Sequence, residues 1–233
     1  MPHSHEHRFP DALALANALA GELRVELQEA IAARGHASLV VSGGRTPALL
    51  FEQLSRESLD WRKVWVTLAD ERWVDLQDPG SNERMVRQTL LQNHAAAAQL
   101  IGMKNAAASP AEGCDWCWRS LARIARPFDV VLLGMGDDGH TASLFPQSPG
   151  IVAALNASNP PACIAMQAPV APEQRISLNL TALLDARRVI LHIQGEGKWS
   201  VYQRALQRGA VAELPVRAVL HQQETPVEVF WSP

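Results

Sequence analysis

The sequence predicts an α/β protein built on a mostly parallel, Rossmann-like open sheet with helices on both faces. Two observations lead to this prediction. Short apolar runs of strand length alternate with longer segments whose apolar residues recur at helical spacing. The short runs are apolar at nearly every position, as in Phe128–Leu133, which is typical of parallel strands buried on both faces.

The predicted elements occupy most of the chain. A long helix over residues 11–33 has leucines at helical spacing and ends at Gly35. Further helices are predicted over residues 47–56, 81–92, 111–124 and 195–207. Strands are predicted over residues 37–41, 64–68, 99–103, 128–133, 163–167, 175–178, 188–193 and 227–231.

The composition of the 233-residue chain limits the number of domains that it can form and the classes of partner that it can bind. A hydrophobic fraction of 47% supports one full core, so we predict a single domain over residues 9–233 after a flexible N-terminus at residues 1–8. The formal net charge of -3 gives no general attraction to nucleic acid, and no nucleic-acid partner is expected. Without an apolar run of membrane-spanning length or a signal peptide, we expect a cytoplasmic protein with no membrane partner, as a monomer or small homo-oligomer.

The three cysteines are too few for a disulfide framework. Cys114 and Cys117 have CxxC spacing, but no second pair of ligands accompanies them, so we interpret them as structural thiols. The sequence also lacks the HExxH metal motif and the GxSxG nucleophile elbow. We therefore expect no metal, no other cofactor and no serine-hydrolase chemistry.

Four predicted strands end in glycines, charged residues or both. These ends are residues 43–46, 70–72, 134–140 and 195–198. The carboxyl ends of parallel strands meet at one edge of a sheet, where open α/β sheets bind their ligands. The sequence therefore predicts that four distant segments form one cleft.

Two of these segments have the residues of an anion site. Gly43, Gly44, Arg45 and Thr46 join a strand to a helix, where free N–H groups, a guanidinium and a hydroxyl favour an anion. This loop lacks the GK[ST] ending of a Walker loop and the GxGxxG of a dinucleotide site. An ordinary strand-to-helix turn with Thr46 as a cap is an equally good interpretation. Lys198 begins another helix, where its charge opposes the helix dipole, and this favours a role with the same anion.

Of the other two segments, one has the residues of a proton-transfer site and the other has charged residues that can bind a polar ligand. His140 can accept and return a proton in water, and Asp137 or Asp138 can orient it as a general base. The alternative is a loop histidine that is hydrogen-bonded to backbone. Asp70 and Arg72 can bind sugar hydroxyls and a phosphate, or can form an ordinary surface ion pair.

In these segments the chain resembles the 6-phosphogluconolactonase family, whose superfamily also holds glucosamine-6-phosphate deaminases. The resemblance extends over residues 9–231. The segments that carry it are Ser-Gly-Gly-Arg-Thr-Pro at 42–47, Asp-Glu-Arg-Trp-Val at 70–74, Ser-Asn at 81–82, Leu-Gly-Met-Gly-Asp-Asp-Gly-His-Thr-Ala-Ser-Leu-Phe-Pro at 133–146, Arg-Ile-Ser at 175–177 and Gly-Glu-Gly-Lys at 195–198.

The resemblance implies an activity and the residues that carry it. The implied reaction is hydrolysis of the small sugar phosphate 6-phospho-D-glucono-1,5-lactone, in the oxidative pentose phosphate pathway. His140 and Asp138 are the implied catalytic residues, with His140 as the base and Asp138, in preference to Asp137, as its partner. The implied substrate-binding residues are Gly43, Gly44, Arg45, Thr46, Asp70, Arg72, Asn82, Arg175 and Lys198.

Within that set, the resemblance divides the residues between the two ends of the substrate. Arg45, Thr46, Lys198 and Arg175 would hold the phosphate. Asp70, Arg72 and Asn82 would line the sugar. The sequence leaves open whether N–H groups near Gly43 and Gly44, or those near Gly136 and Asp137, stabilise the oxyanion.

Two departures separate this chain from the deaminases of the superfamily. Those enzymes follow Asp-Gly-His with a segment ending in Asn-Glu-Pro, and Phe145 stands here in place of the glutamate that helps to open the sugar ring. They also usually have Asp-Glu-Tyr where this chain has Asp70-Glu71-Arg72. Both departures favour the lactonase. The alternatives are an amino-sugar-phosphate deaminase or isomerase with Asp70 as base, and a sugar-phosphate sensor domain.

Overall fold

The computed structural model describes residues 5–233 and has two sheets with surrounding helices. The strands are β1 (His5–Arg8), β2 (Ala37–Val41), β3 (Val64–Leu68), β4 (Asp70–Arg72), β5 (Gln99–Ile101), β6 (Phe128–Leu133), β7 (Cys163–Gln167), β8 (Gln174–Leu178), β9 (Ala186–Gln194) and β10 (Val227–Ser232). The α-helices are α1 (Ala12–Arg34), α2 (Ala48–Leu54), α3 (Asn82–Thr89), α4 (Pro110–Leu121), α5 (Ile151–Ala154), α6 (Leu180–Leu184), α7 (Glu196–Leu206) and α8 (Val216–Leu220). Short 3₁₀ helices cover Trp61–Lys63 and Asn93–Ala97.

The main sheet is parallel throughout, and the predicted fold class is confirmed. Its seven strands have the order β1-β10-β9-β6-β2-β3-β5. In the central strands Val41 pairs with Leu68 on one side and with Leu132 on the other. Every residue of β2 and β6 is buried, because helices cover the sheet on each face.

The order of the strands places a topological switch point between β2 and β6. From β2 the chain continues outward to β3 and β5, whereas β6, β9 and β10 follow one another in the opposite direction. Right-handed crossovers therefore put α1 and α2, which contact each other, on one face and α6 to α8 on the other. The crevice beyond the carboxyl ends of β2 and β6 is where this architecture binds ligands.

The second sheet is antiparallel, with the order β4-β8-β7, and the sequence did not indicate it. It continues from the main sheet through Ala69, whose N–H donates to Val41 O at 2.8 Å while its carbonyl accepts from Leu178 N at 2.9 Å. Asp70–Arg72, predicted as the polar end of the strand over residues 64–68, is instead a separate strand paired with β8. This pairing fixes its side chains at the edge of the crevice.

The predicted flexibility of the N-terminus is wrong for residues 5–8, since His5–Arg8 form an edge strand parallel to β10. His7 Nε2 lies 2.7 Å from Glu228 Oε2, and the ring of His7 stacks on Phe230 with 4.4 Å between centroids. These contacts order a polar segment that has no apolar pattern of its own. Residues 1–4 of the predicted flexible segment lie outside the described residues, and the single domain over residues 9–233 stays a prediction.

The three cysteines lie where α4 packs on the second sheet. Cys117 Sγ is 3.1 Å from Cys163 Sγ, both side chains are buried, and Cys114 Sγ donates to Pro110 O at 3.0 Å. Burial raises the pKa of the Cys114 thiol to about 12, so this group packs as a neutral thiol. Across residues 5–233, no helix is long and apolar enough to cross a membrane.

Candidate active site

The four predicted strand ends meet in one cleft at the switch point. The ends of β2, β3, β6 and β9 are neighbours in the sheet, and the loops that follow them enclose about 200 Å³. Of the residues singled out in the sequence, the structure brings together at this cleft Gly43, Gly44, Arg45, Thr46, Asp70, Arg72, Asn82, His140 and Lys198. Asp138 reaches the cleft through His140, and Arg175 does not line it.

His140 and Asp138 form a directly bonded pair after β6. The Nδ1 atom of His140 is 2.5 Å from Asp138 Oδ1, and the same oxygen accepts the His140 backbone N–H at 3.0 Å. Burial alone would raise the pKa of Asp138, but these hydrogen bonds and the nearby imidazole outweigh it and lower the pKa. Asp138 is therefore an ionised acceptor, whereas Asp137 makes no such hydrogen bond with His140 within residues 5–233.

The imidazole of His140 lies against Gly136 at the turn of the loop. A Cβ at Gly136 would be 2.2 Å from both Cε1 and Nδ1 of His140 and 2.7 Å from Asp138 Oδ1, so only glycine leaves room for the pair. The Gly136 N–H donates to His140 O at 2.9 Å, which closes the loop. Phe145 covers another side of the imidazole, with 4.5 Å between ring centroids.

The candidate phosphate end of the cleft combines residues from two loops. Lys198, in the first turn of α7, has Nζ 3.4 Å from Thr46 Oγ1 on the loop after β2. Burial lowers the pKa of Lys198, Asp137 opposes this shift, and the charge of Arg45 adds to it. A half-buried ammonium beside a guanidinium is a strong site for a dianion, which would offset both the desolvation and the repulsion.

The side of the cleft that Asp70 and Asn82 line is held by a buried hydrogen-bond network that the sequence did not indicate. Asp70 Oδ2 accepts from Ser143 Oγ at 2.5 Å, which ties β4 to the loop that carries His140. Buried Glu71 accepts from Ser81 Oγ and from the N–H groups of Arg72, Asn82 and Glu83 at 2.7–3.0 Å. Burial raises the pKa of Glu71 despite these bonds. Glu71 thus fixes the start of α3 beside the cleft.

Asn82, the first residue of α3, connects this network to the loop after β2. Its Nδ2 donates to Asp70 O at 2.9 Å, while its buried Oδ1 accepts no hydrogen bond from the described residues. A Cβ at Gly43 would lie 1.9 Å from that Oδ1, so the loop can approach Asn82 only with glycine there. Asn82 lines the cleft, and its side chain therefore closes the wall between the loop after β2 and β4.

Backbone N–H groups at the two glycine-rich loops differ in their availability. Gly136 N–H already donates to His140 O, whereas the N–H groups of Gly43 and Gly44 bond to no described residue. An oxyanion needs donors that are free and preorganised. The arrangement therefore favours the loop after β2 over the N–H of Gly136.

Arg175, predicted as a phosphate ligand, is not among the residues that line the cleft. It pairs with Arg72 across β4 and β8, is 6% exposed, and has its guanidinium carbon 5.8 Å from the centroid of the Phe145 ring. Burial lowers its pKa, and the charge of Arg72 adds to this effect. Because directly paired residues of antiparallel strands project to the same face, Arg175 lies on the face of the second sheet that also carries Arg72, a residue of the cleft lining.

No metal site accompanies these groups within residues 5–233, where no three His, Cys, Asp or Glu side chains cluster as ligands. The cleft offers a carboxylate-bound imidazole, backbone N–H groups without a described partner, and the cations Arg45, Arg72 and Lys198. Such an arrangement can remove a proton from a water molecule as that water attacks a carbonyl carbon. It can also bind an anionic group elsewhere on the same substrate.

Comparison with known proteins agrees with this chemistry. Residues 10–231 match the family model described as glucosamine-6-phosphate isomerases/6-phosphogluconolactonase. A 6-phosphogluconolactonase of Rhizobium meliloti is 43% identical over 227 residues, which cover 97% of this chain and 98% of that protein. The crystal structure of a 6-phosphogluconolactonase from Shewanella baltica superposes with a TM-score of 0.95 at 48% identity, covering 99% of this chain and 98% of that one. The chain therefore belongs to the glucosamine-6-phosphate isomerase/6-phosphogluconolactonase family, and these relatives place it among the lactone-hydrolysing 6-phosphogluconolactonases.

Proposed function

We propose that this enzyme hydrolyses 6-phospho-D-glucono-1,5-lactone to 6-phosphogluconate with His140 as general base. One observation carries the proposal: the cleft that holds His140, bonded to Asp138, is also lined by the cations Arg45 and Lys198. A phosphorylated sugar lactone has its carbonyl and its phosphate at opposite ends and fits this separation of roles.

Proton transfer begins at His140. Ionised Asp138 only accepts hydrogen bonds, so Nδ1 of His140 carries the proton and Nε2 is left as a base. Nε2 takes a proton from water as the water oxygen bonds to the C1 carbonyl carbon. When the C1–O5 ring bond breaks, the imidazolium returns that proton to the leaving oxygen. The product is one open-chain molecule with a carboxylic acid at C1, which ionises, and a hydroxyl at C5.

The negative charge that develops on the carbonyl oxygen needs nearby donors. The free N–H groups of Gly43 and Gly44 supply them, because they line the cleft and have no other partner among the described residues. Donors fixed before the reaction stabilise the tetrahedral intermediate without the reorganisation that water requires.

Binding energy at the far end of the substrate aligns its carbonyl with the base. Lys198, Arg45 and the hydroxyl of Thr46 bind the phosphate, while Asp70, Arg72 and Asn82 contact the sugar hydroxyls. A remote anion held by two cations places the reacting carbon beside the water and raises the effective concentration of the reactants.

The test is hydrolysis of freshly prepared 6-phosphogluconolactone, coupled to 6-phosphogluconate dehydrogenase, for the wild type and for His140→Ala. We expect kcat to fall by about 10²- to 10⁴-fold in the variant, with 6-phosphogluconate still bound. Wild-type turnover no faster than spontaneous hydrolysis, together with ammonia release from glucosamine 6-phosphate, would assign the deaminase reaction instead. Retained turnover in His140→Ala would exclude His140 as the base.

A further inference from the structure

A second, smaller cavity lies directly beneath the active-site cleft. It has about 10 Å³ open to a water-sized molecule, and it is lined by Ser42, Pro47, Leu132, Leu133, Gly134 and His192. Ser42, Pro47 and Gly134 also line the cleft, so they form the floor that separates the two spaces. The volume is sufficient for one water molecule.

Two polar side chains in this cavity are buried without a hydrogen-bond partner among residues 5–233. They are Nδ1 of His192, a residue 6% exposed on β9, and Oγ of Ser42, a residue 6% exposed at the end of β2. Buried polar atoms in folded proteins are nearly always paired with protein or with ordered water. Two such atoms in one small cavity are therefore a built site for a ligand that is both donor and acceptor.

The protonation state of His192 suits a neutral ligand. Burial, with a smaller contribution from the charge of Lys198, lowers the pKa of His192 to about 4. The imidazole is thus neutral near pH 7, with one donor and one acceptor nitrogen. The Ser42 hydroxyl likewise donates and accepts, so either orientation of a water molecule satisfies both groups.

We propose that this cavity binds one ordered water molecule between His192 Nδ1 and Ser42 Oγ, and that His192 is a positioning residue for the substrate phosphate. The second part rests on the proposed function. Ser42 directly precedes the loop with Gly43, Gly44 and Arg45, and its N–H is already anchored on Leu132 O at 3.0 Å. The water adds an anchor from its side chain to β9.

The same water connects the two loops that hold the phosphate. His192 lies on β9 three residues before Gly195, and α7 begins at Glu196 and carries Lys198 in its first turn. Ser42 begins the loop with Arg45 and Thr46. A hydrogen-bonded link between the two strand ends therefore holds Lys198 and Thr46 at their mutual distance of 3.4 Å.

Five variants test the link by steady-state kinetics and by the affinity for 6-phosphogluconate. His192→Phe and Ser42→Ala each remove one partner of the water, and we expect KM to rise about 3- to 10-fold with a smaller change in kcat. The double variant should be no worse than either single variant, because both changes remove the same link. His192→Asn keeps a polar atom at the place of Nδ1 and should restore KM, whereas His192→Gln, with its polar atoms farther out, should not.

A high-resolution crystal structure of the wild type tests the site apart from the activity. Density for a water within hydrogen-bond distance of both atoms supports the water site even if no lactone is hydrolysed, which separates this inference from the proposed function. An empty cavity, or His192 Nδ1 bonded elsewhere, would overturn it. Additive effects in the double variant, or a fall in kcat with KM unchanged, would overturn the positioning role.

Discussion

Asp138 Oδ1 accepts two hydrogen bonds from His140. One comes from the imidazole Nδ1 at 2.5 Å and the other from the backbone N–H at 3.0 Å. One oxygen therefore fixes both the ring orientation and the loop from which the ring projects. Because an ionised carboxylate cannot donate, the arrangement also selects the tautomer with a basic Nε2. Orientation and basicity of the proposed base thus depend on the same residue.

Asp138→Asn tests whether Asp138 acts by orienting His140 and selecting its tautomer, or only by placing a negative charge near the cleft. An amide can present its NH₂ group to Nδ1 and so stabilise the wrong tautomer, and we expect kcat to fall by at least about tenfold with little change in KM. Asp137→Asn is the matched control, because Asp137 is exposed and has no hydrogen bond to His140 among the described contacts. Equal losses of kcat in the two variants would contradict the assignment of Asp138.

Gly136→Ala should inactivate the enzyme while leaving it folded. The new Cβ would lie 2.2 Å from the His140 ring, which can rotate away and leave Asp138. We expect kcat to fall about as far as in His140→Ala, with a small change in melting temperature. Gly21→Ala in α1 is the control, because its Cβ meets nothing within 4 Å and alanine favours a helix. Full activity in Gly136→Ala would mean that the bonded pair is not needed.

Lys198→Met should weaken binding of the phosphate far more than it slows the chemical step. Loss of a charge-assisted hydrogen bond to a dianion costs about 1.5–3 kcal/mol, so we expect KM for the lactone to rise about 10- to 100-fold. Competition by inorganic phosphate should weaken in parallel. Lys63→Met is the control, since Lys63 precedes β3 at the opposite edge of the sheet. An unchanged KM, or an equal effect at Lys63, would remove Lys198 from the phosphate site.

The central strands could be predicted from the sequence because nearly all of their residues are apolar, as expected for strands that are buried on both faces. Segments 37–41, 64–68 and 128–133 are apolar at nearly every position, and the structure has strands with these same bounds. The order of their polar ends along the chain was then enough to predict one shared cleft. In a parallel sheet the carboxyl ends of neighbouring strands lie at one edge, whatever residues the loops contain.

The features that were not predicted from the sequence depend on contacts with residues far away in the chain, which no local sequence pattern indicates. Asp70–Arg72 is a strand only because Ser143, the start of α3 and β8 supply its hydrogen bonds. His5–Arg8 is ordered by contacts with β10, more than 200 residues away in sequence. Arg175 was predicted as a phosphate ligand, but its place opposite Arg72 depends on the register of β8 with β4, which no local pattern indicates.

His192 should make the stability of the fold depend on pH between about 4 and 6.5. Its folded-state pKa of about 4 lies below the value of about 6.5 expected in the unfolded chain, so the unfolded state binds more protons in this range. The contribution of a neutral His192 is complete above about pH 6.5 and is lost as the pH falls toward 4, by roughly 3 kcal/mol in all. His192→Phe should therefore show a shallower decline of unfolding free energy over that range. Urea denaturation at several pH values measures this slope, with exposed His94→Asn as the control, and a wild-type slope in His192→Phe would show that His192 is not the group responsible.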